Sequence, residues 1–425
     1  MTARPRILIT GSGAVCGAGR TPAALLAAAR EGRSAIAPIQ QWDTTGWPVR
    51  MAAEVADFNA REFVPDRKLH KFIRRTDMLG IYAGTQALEN AGFVAHRATL
   101  APNAAADYND RTGLYVGSGG GAYNTQYDYF PLMTEAGGDL VRFGQELGNV
   151  VNPMWLLRSL PNNVLCHVAI SHHLKGPNAC ITNHSCGGTL AVIEAAEALR
   201  NDEADRAIAI GHDTLIEQQM VLYYHQCGLL AGDTIRPFDA HRSGSLFGEG
   251  AGALVLETEA SAAARGATVI GEVLGGGHAG EAMGLLAIRD DGDGLARAIG
   301  DALHDAKLGP ADIGMVVAHG NGTRQSDASE AAALRRVFGA AMPPVTAFKW
   351  SIGHLIAAAG TIETVIALAA LAAGTVPGIA TLREIDPECA GIAVSNRPQT
   401  PRSQVALILC RGFAGTDAAL IVRAA

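Results

Sequence analysis

Residues 178–200, NACITNHSCGGTLAVIEAAEALR, carry the pattern that decides the fold: a short β-forming run meets a Gly-containing turn and passes directly into an Ala-rich helical stretch. The same order of events recurs downstream, where PVTAF (344–348) leads through KWSIGHLIAAAG (349–360) into an apolar stretch ending at Gly374. Working outward from the first stretch, RILIT (6–10), TGLYVGS (112–118), RAIAIGH (206–212) and AGALVLE (251–257) read as strands, with a helix near Pro22 to Glu31. A second series contains ATVIGEVLGGG (267–277), a helix over 294–306, GMVVAHGNG (314–322), a helix over 327–338, IAVSN (392–396), ALILC (406–410) and AALIVRA (418–424). The alternation is that of an α/β protein, and the matching order of the two series is that of a duplicated fold. If the halves pack about a pseudo-two-fold axis, the loops at Cys186 and His354 converge on one pocket, because catalytic groups of α/β folds collect at strand ends.

Composition narrows the function. The chain has 425 residues, 48% hydrophobic and 18% charged, which excludes a disordered protein and is enough for one large core or two medium ones. The charge of 34 basic against 41 acidic residues, −7, argues against nucleic-acid binding by bulk phosphate neutralisation. Glycine, 50 residues of 425, is well above its usual share of roughly 7%, so close packing and tight turns must be frequent. The seven cysteines are scattered and form no CxxC pair, which favours a reducing, cytoplasmic setting over a disulfide framework or a zinc site. The apolar run at Ile7–Thr10 is too short for a signal peptide, and the uncharged stretch Thr364–Leu382 is broken by Gly374, Pro377 and Gly378, so neither export nor a membrane span is expected. TGSGAVCG (10–17) fails the dinucleotide-binding GxGxxG pattern at Cys16, and His172–His173 lacks metal-ligand spacing.

Three residues stand out as chemistry. Cys186 sits between a strand and a helix N-terminus beside Gly187 and Gly188, where unpaired N–H groups and the helix dipole lower a thiol pKa; the competing reading is a buried cysteine acting as a small hydrophobe. His319 and His354 occupy Gly-flanked loops after apolar strands, and a histidine at a helix N-terminus stays neutral and donates a hydrogen bond. One thiol and two neutral imidazoles suit carbon–carbon bond formation, in which a thioester is parked on sulfur and the imidazole N–H groups stabilise an enolate.

These motifs resemble the elongating β-ketoacyl-acyl carrier protein synthases of the thiolase superfamily along nearly the whole chain. The resemblance rests on RILITGSGAVCGAGRT (6–21), GPNACITNHSCGGTLA (176–191), RPFDAHRSGSLFGEGAGALVLE (236–257), AHGNGT (318–323), KWSIGHLIAAAG (349–360) and GFAGTDAAL (412–420). It implies a thiolase-like fold of two pseudo-symmetric halves in five layers, α-β-α-β-α. Residues 1–258 would be the half carrying the nucleophilic cysteine and 259–425 the half carrying the two histidines. The implied activity is decarboxylative Claisen condensation of an acyl thioester with malonyl-acyl carrier protein. Cys186 would accept the acyl group, His319 and His354 would serve malonyl decarboxylation, and Lys349 would be the family's lysine. Asp327 and Glu330 match supporting acidic positions, Thr323 and Gly412 belong to the substrate surround, and Phe413 matches the gating residue. Backbone N–H groups of Cys186 and Phe413 would hold the acyl carbonyl, and Lys349 needs an acidic partner such as Glu330. Phe413 as an ordinary core aromatic, and Lys349 as a surface lysine, are the competing readings.

The implied partners are an acyl carrier protein, with substrates on its phosphopantetheine and no cofactor or metal of the enzyme's own, and a second ketosynthase-like chain in a homodimer or heterodimer. PDRKLHKFIRR (65–75) supplies a docking patch, with Arg67, Lys71, Arg74 and Arg75 on one face of a helix beside Lys68; a solvated helix face is the alternative. The sequence departs from the family pattern at Asn183, His184 and Ser185, at Asn321, and at Cys410 and Arg411, which points to an unusual acyl chain such as a polyene intermediate. A thiolase is the nearest rival, and a partner subunit of the chain-length-factor kind, which lacks the cysteine, comes next.

Overall fold

The computed structural model describes residues 4–119 and 129–425. Among the described residues eleven strands form the main sheet: β1 (Ile7–Cys16), β2 (Thr112–Ser118), β3 (Asn178–Ile181), β4 (Arg206–Thr214), β5 (Glu249–Thr258), β6 (Gly271–Gly280), β7 (Met315–Val317), β8 (Pro344–Thr346), β9 (Ala393–Val394), β10 (Val405–Gly412) and β11 (Thr416–Ala424). Their order is β9-β8-β7-β10-β11-β6-β1-β5-β4-β2-β3. Starting from β1, the neighbours β5 and β4 run antiparallel and β2 and β3 parallel; starting from β6, the neighbours β11 and β10 run antiparallel and β7 and β8 parallel. The two series meet where β1 pairs with β6 at Ile7↔Val273 through Ile9↔Gly271.

Apolar runs such as ILIT and ALILC can be strands only if both faces are covered, and they are. Helices α1 (Arg75–Asn90) and α2 (Asn163–His172) cover the outer face of the first series, α4 (Asp293–Ala306) and α5 (Arg324–Phe338) that of the second, and α3 (Gly187–Arg200) and α6 (Ala359–Ala372) lie between the two. The result is the expected five-layer α-β-α-β-α arrangement. The uncharged stretch after Glu363 is buried helix in the middle layer, and no helix among the described residues is long and apolar enough to cross a membrane. What positions the site is the contact of α3 with the loop before α6. A Cβ on Gly188 would lie 2.4 Å from the Ala357 carbonyl oxygen, so only glycine lets the two loops approach this closely.

Candidate active site

After β3 the chain turns through a short 3₁₀ segment, His184–Cys186, into α3. His184 has φ +43°, the left-handed region that side-chain-bearing residues rarely adopt. This turn sends adjacent side chains to different places. Ser185 Oγ lies 3.4 Å from His354 Nε2 and 3.0 Å from His184 Nδ1, and Ser185 lines a cavity of about 350 Å³. Cys186 is absent from that lining. Its thiol donates instead towards the carbonyls of Cys410 (3.5 Å) and Thr416 (3.4 Å), in an apolar cluster with Cys410 and Ala418. Burial, then the neighbouring Cys410 and Asp417, push this thiol well above the usual range, the reverse of the activation expected from the helix N-terminus. The Cys186 N–H is already bonded to the Asn183 carbonyl at 3.0 Å, which removes it as a donor to an acyl carbonyl.

The two histidines do meet. His319, two residues beyond β7, and His354, in the loop before α6, have ring centroids 5.2 Å apart, and both line the cavity. The Nδ1 of His319 accepts from the Arg411 N–H (3.3 Å), and the Nδ1 of His354 from the Ile356 N–H (3.2 Å). A neutral imidazole that accepts at Nδ1 carries its proton on Nε2. Both rings are held neutral: burial first and the charge of Lys349 second drive their pKa values well below the usual 6.5. The cause is therefore mainly burial rather than a helix dipole.

The acidic residues shape the loop around His319. Glu330 accepts the N–H groups of His319 (2.7 Å) and Gly320 (2.9 Å), while Asp327 accepts those of Phe238 (2.8 Å) and Gly322 (3.2 Å). Glu330 is thus occupied, and the partner of Lys349 is a different residue, Glu363, at 2.7 Å with both side chains fully buried. Thr323 lines the cavity and donates from its hydroxyl to Asn321 Oδ1 at 2.9 Å. At Gly412 a Cβ would come within 2.7 Å of Thr416 Oγ1 and 3.4 Å of the His184 Cβ, so glycine lets the end of β10 close against the His184 turn.

Phe413 is half-buried and lines the cavity, with its ring stacked on His184 (centroids 4.4 Å apart) and near Tyr224 (5.2 Å). His184 Nε2 is 2.6 Å from the Tyr224 hydroxyl. Sequence reading took His184 and Ser185 only as departures from the family pattern and missed Tyr224 and Glu363 as site residues. The signal for Glu363 was a lone charge inside an otherwise apolar helix; Tyr224 gave none.

The docking row does not form as a single helix face. Arg67, Lys68 and Lys71 are exposed, but Lys71 ends a 3₁₀ turn (Leu69–Lys71) and residues 72–74 before α1 are not helical; Arg74 is buried and Arg75 pairs with the buried Glu249 while lying 4.1 Å over the Phe58 ring. Among the described residues no group of three or more His, Cys, Asp or Glu is placed to hold a metal ion.

Known proteins resemble this chain along nearly its whole length. Residues 4–262 match the family described as "Beta-ketoacyl synthase, N-terminal domain" and residues 270–383 its C-terminal domain. Nodulation protein E of Rhizobium leguminosarum bv. trifolii is 32% identical over 98% of this chain and 99% of its own length. The 3-oxoacyl-[acyl-carrier-protein] synthase 2 of a Synechocystis species is 30% identical over 98% and 97%. Among solved structures, the ishigamide ketosynthase/chain length factor superposes with a TM-score of 0.86 at 30% identity, covering both chains completely. A β-ketoacyl synthase from Burkholderia phymatum gives 0.87 at 27% identity, over 99% of this chain and 100% of its own.

Proposed function

This chain belongs to the β-ketoacyl synthase family, and we propose that it carries out the family's decarboxylative Claisen condensation through the paired neutral histidines His319 and His354. It is an acyltransferase of fatty acid or polyketide elongation, of the condensing rather than the degradative thiolase type. One observation carries the assignment of the histidines: both accept a backbone N–H at Nδ1, which leaves two Nε2–H donors at the cavity. When the malonyl carboxylate leaves as carbon dioxide, the electron pair of the broken C–C bond moves onto the thioester carbonyl. Two pre-set neutral donors meet that oxygen without reorganising, and a donor of this kind contributes about 3 kcal/mol. Neutrality suits the role, since each imidazole already carries the Nε2 proton it donates. Lys349, through its charge, and Glu330 and Asp327, through the loop they hold, act on the histidines rather than on substrate.

The substrates of this reading are an acyl thioester and a malonyl thioester on the phosphopantetheine of an acyl carrier protein, with no cofactor bound by the enzyme. The exposed cations Arg67, Lys68 and Lys71 are its docking contacts, and the setting is cytoplasmic. The chain works as a dimer, with itself or a ketosynthase-like homologue, through the sheet edge at β3; residues 1–258 and 259–425 are its two halves. The position of Cys186 favours a second reading, in which a chain without a cavity thiol is the non-loading partner of such a pair. The test of the histidine assignment is carbon dioxide release from a malonyl thioester. His319→Ala and His354→Ala should each slow it by roughly 10² or more, while acyl loading survives in part. Release at the wild-type rate in both variants would refute it.

A further inference from the structure

The cavity presents an oxygen where a sulfur was expected. Ser185 is fully buried, lines the cavity beside both catalytic histidines, and makes two side-chain contacts that fix its hydrogen. His354 accepts at Nδ1 and therefore donates from Nε2, so across 3.4 Å it is the donor and Ser185 Oγ the acceptor. The serine hydrogen is then free to go to His184 Nδ1 at 3.0 Å. His184, accepting at Nδ1, holds its own proton on Nε2 and donates to the Tyr224 hydroxyl at 2.6 Å. A single assignment of protons satisfies all three contacts, and it describes a serine bonded to a neutral base that is itself oriented by a third group.

We propose that Ser185 is the acyl acceptor of this enzyme, that His184 is its general base with Tyr224 orienting the ring, and that the acyl-enzyme is an oxygen ester rather than a Cys186 thioester. The proposal rests on the condensation assigned above and adds which atom is loaded and which base loads it. In loading, the Ser185 Oγ–C bond forms and the thioester C–S bond breaks. The serine proton passes to His184 Nδ1 and from there to the departing phosphopantetheine thiolate. In condensation, the malonyl-derived enolate carbon attacks the ester carbonyl, the C–Oγ bond breaks, and the serine oxygen regains a proton from solvent through His184. A serine hydroxyl is a poor nucleophile unless a base is at hand, whereas a cysteine needs less help. A histidine immediately before the serine, kept in a left-handed turn and sandwiched against Phe413, is the compensation such an exchange requires. Burial lowers the His184 pKa to about 4, so its ring is unprotonated at neutral pH.

The test uses acetyl- and octanoyl-phosphopantetheine for loading and malonyl-phosphopantetheine for decarboxylation on the intact protein. The wild type should gain the mass of one acyl group, mapped to Ser185, stable to neutral hydroxylamine and released by alkali. Ser185→Ala should lose it. Ser185→Cys should restore loading as an adduct that neutral hydroxylamine removes. His184→Ala should slow loading by roughly 10² or more. Cys186→Ala should load at the Ser185 oxygen as before. Tyr224→Phe should move the acid limb of the loading rate to lower pH, because the imidazolium loses its acceptor, a change that mere loss of packing would not produce. Acyl on Cys186, or no acyl on any residue while malonyl decarboxylation proceeds, would overturn the proposal and, in the second case, favour the non-loading partner. Absence of decarboxylation in the wild type would instead sink the condensation reading from which it starts.

Discussion

The buried pair Lys349–Glu363 lends itself to the most demanding test. Its Nζ and Oε1 are 2.7 Å apart, and neither side chain reaches solvent. Removing one member of such a pair strands a charge in a medium that cannot solvate it, at a cost of about 3–5 kcal/mol. Lys349→Met and Glu363→Gln should each therefore destabilise the fold by about that much. For a chain of this length the unfolding entropy is on the order of 0.9 kcal/mol/K, so the midpoint should fall by roughly 3–6 °C if the chain unfolds as a unit. The double variant should recover most of the loss, since two neutral groups of similar size leave no stranded charge. Urea unfolding gives the free energies and thermal unfolding the midpoints, both followed by fluorescence on all four proteins.

The pair also makes an electrostatic prediction of opposite sign for its two members. After burial, Lys349 is the largest cause of the depressed pKa of both His319 and His354. Without that charge the two imidazoles protonate more easily, so in Lys349→Met the acid limb of malonyl decarboxylation should move to higher pH. In Glu363→Gln the lysine charge is less compensated, the imidazoles are held neutral more firmly, and the limb should move to lower pH. Shifts in the same direction, or single variants costing under about 1 kcal/mol, would refute the reasoning.

Three further outcomes are expected. Phe413→Ala should disturb discrimination between acyl and malonyl thioesters at little cost to the fold, because the ring is only half-buried; a loss of about 3–5 kcal/mol with unchanged selectivity would mean that it packs and does not gate. Sedimentation should find the chain at roughly twice its monomer mass, alone or with a homologue, because β3 ends the sheet and Leu140, Leu156 and Ile170 are exposed; a stable monomer with every candidate partner would count against it. Burial raises Asp213 from 3.8 to about 7, so ionising it in the fold costs stability as pH climbs from 4 to 7; Asp213→Asn should gain on the wild type across that window by up to about 4 kcal/mol, seen in chemical unfolding at pH 4.5 and 8.

The architecture was legible because it rests on patterns that tertiary context only reinforces. Apolar runs bounded by glycine became the strands, and the matching order of the two series became two stretches of sheet with the same sequence of parallel and antiparallel neighbours. His319 was legible because a polar residue two places past a buried strand can only face a strand-end cavity or a partner, and His354 because it sits in a Gly-flanked loop before a buried helix. Lys349 was legible as a buried charge but its partner was not, because Glu330 and Glu363 both lie within reach along the chain and only the backbone N–H groups at His319 and Gly320 decide which carboxylate is already taken. The docking row failed at Arg74 and Arg75. Helical spacing across 67–75 presumes a helix there, and the helix begins only at Arg75.

On the proposal made above, the acyl acceptor is the residue just before the one the sequence pointed to, and the geometry explains why one residue is enough. Successive side chains on a 3₁₀ turn point about 120° apart. At the entrance to α3 that rotation separates Ser185, facing His354, from Cys186, facing Cys410 and Ala418. Reading by residue type picks the cysteine, because sulfur is the better nucleophile and glycines follow it. Reading by environment picks the serine, because His184 is useless beside a thiol buried in an apolar cluster but is the base a serine needs. If Ser185 is loaded, the departure at Asn183–Ser185 belongs to the loading machinery; if Cys186 is loaded, it remains an adjustment to an unusual acyl chain.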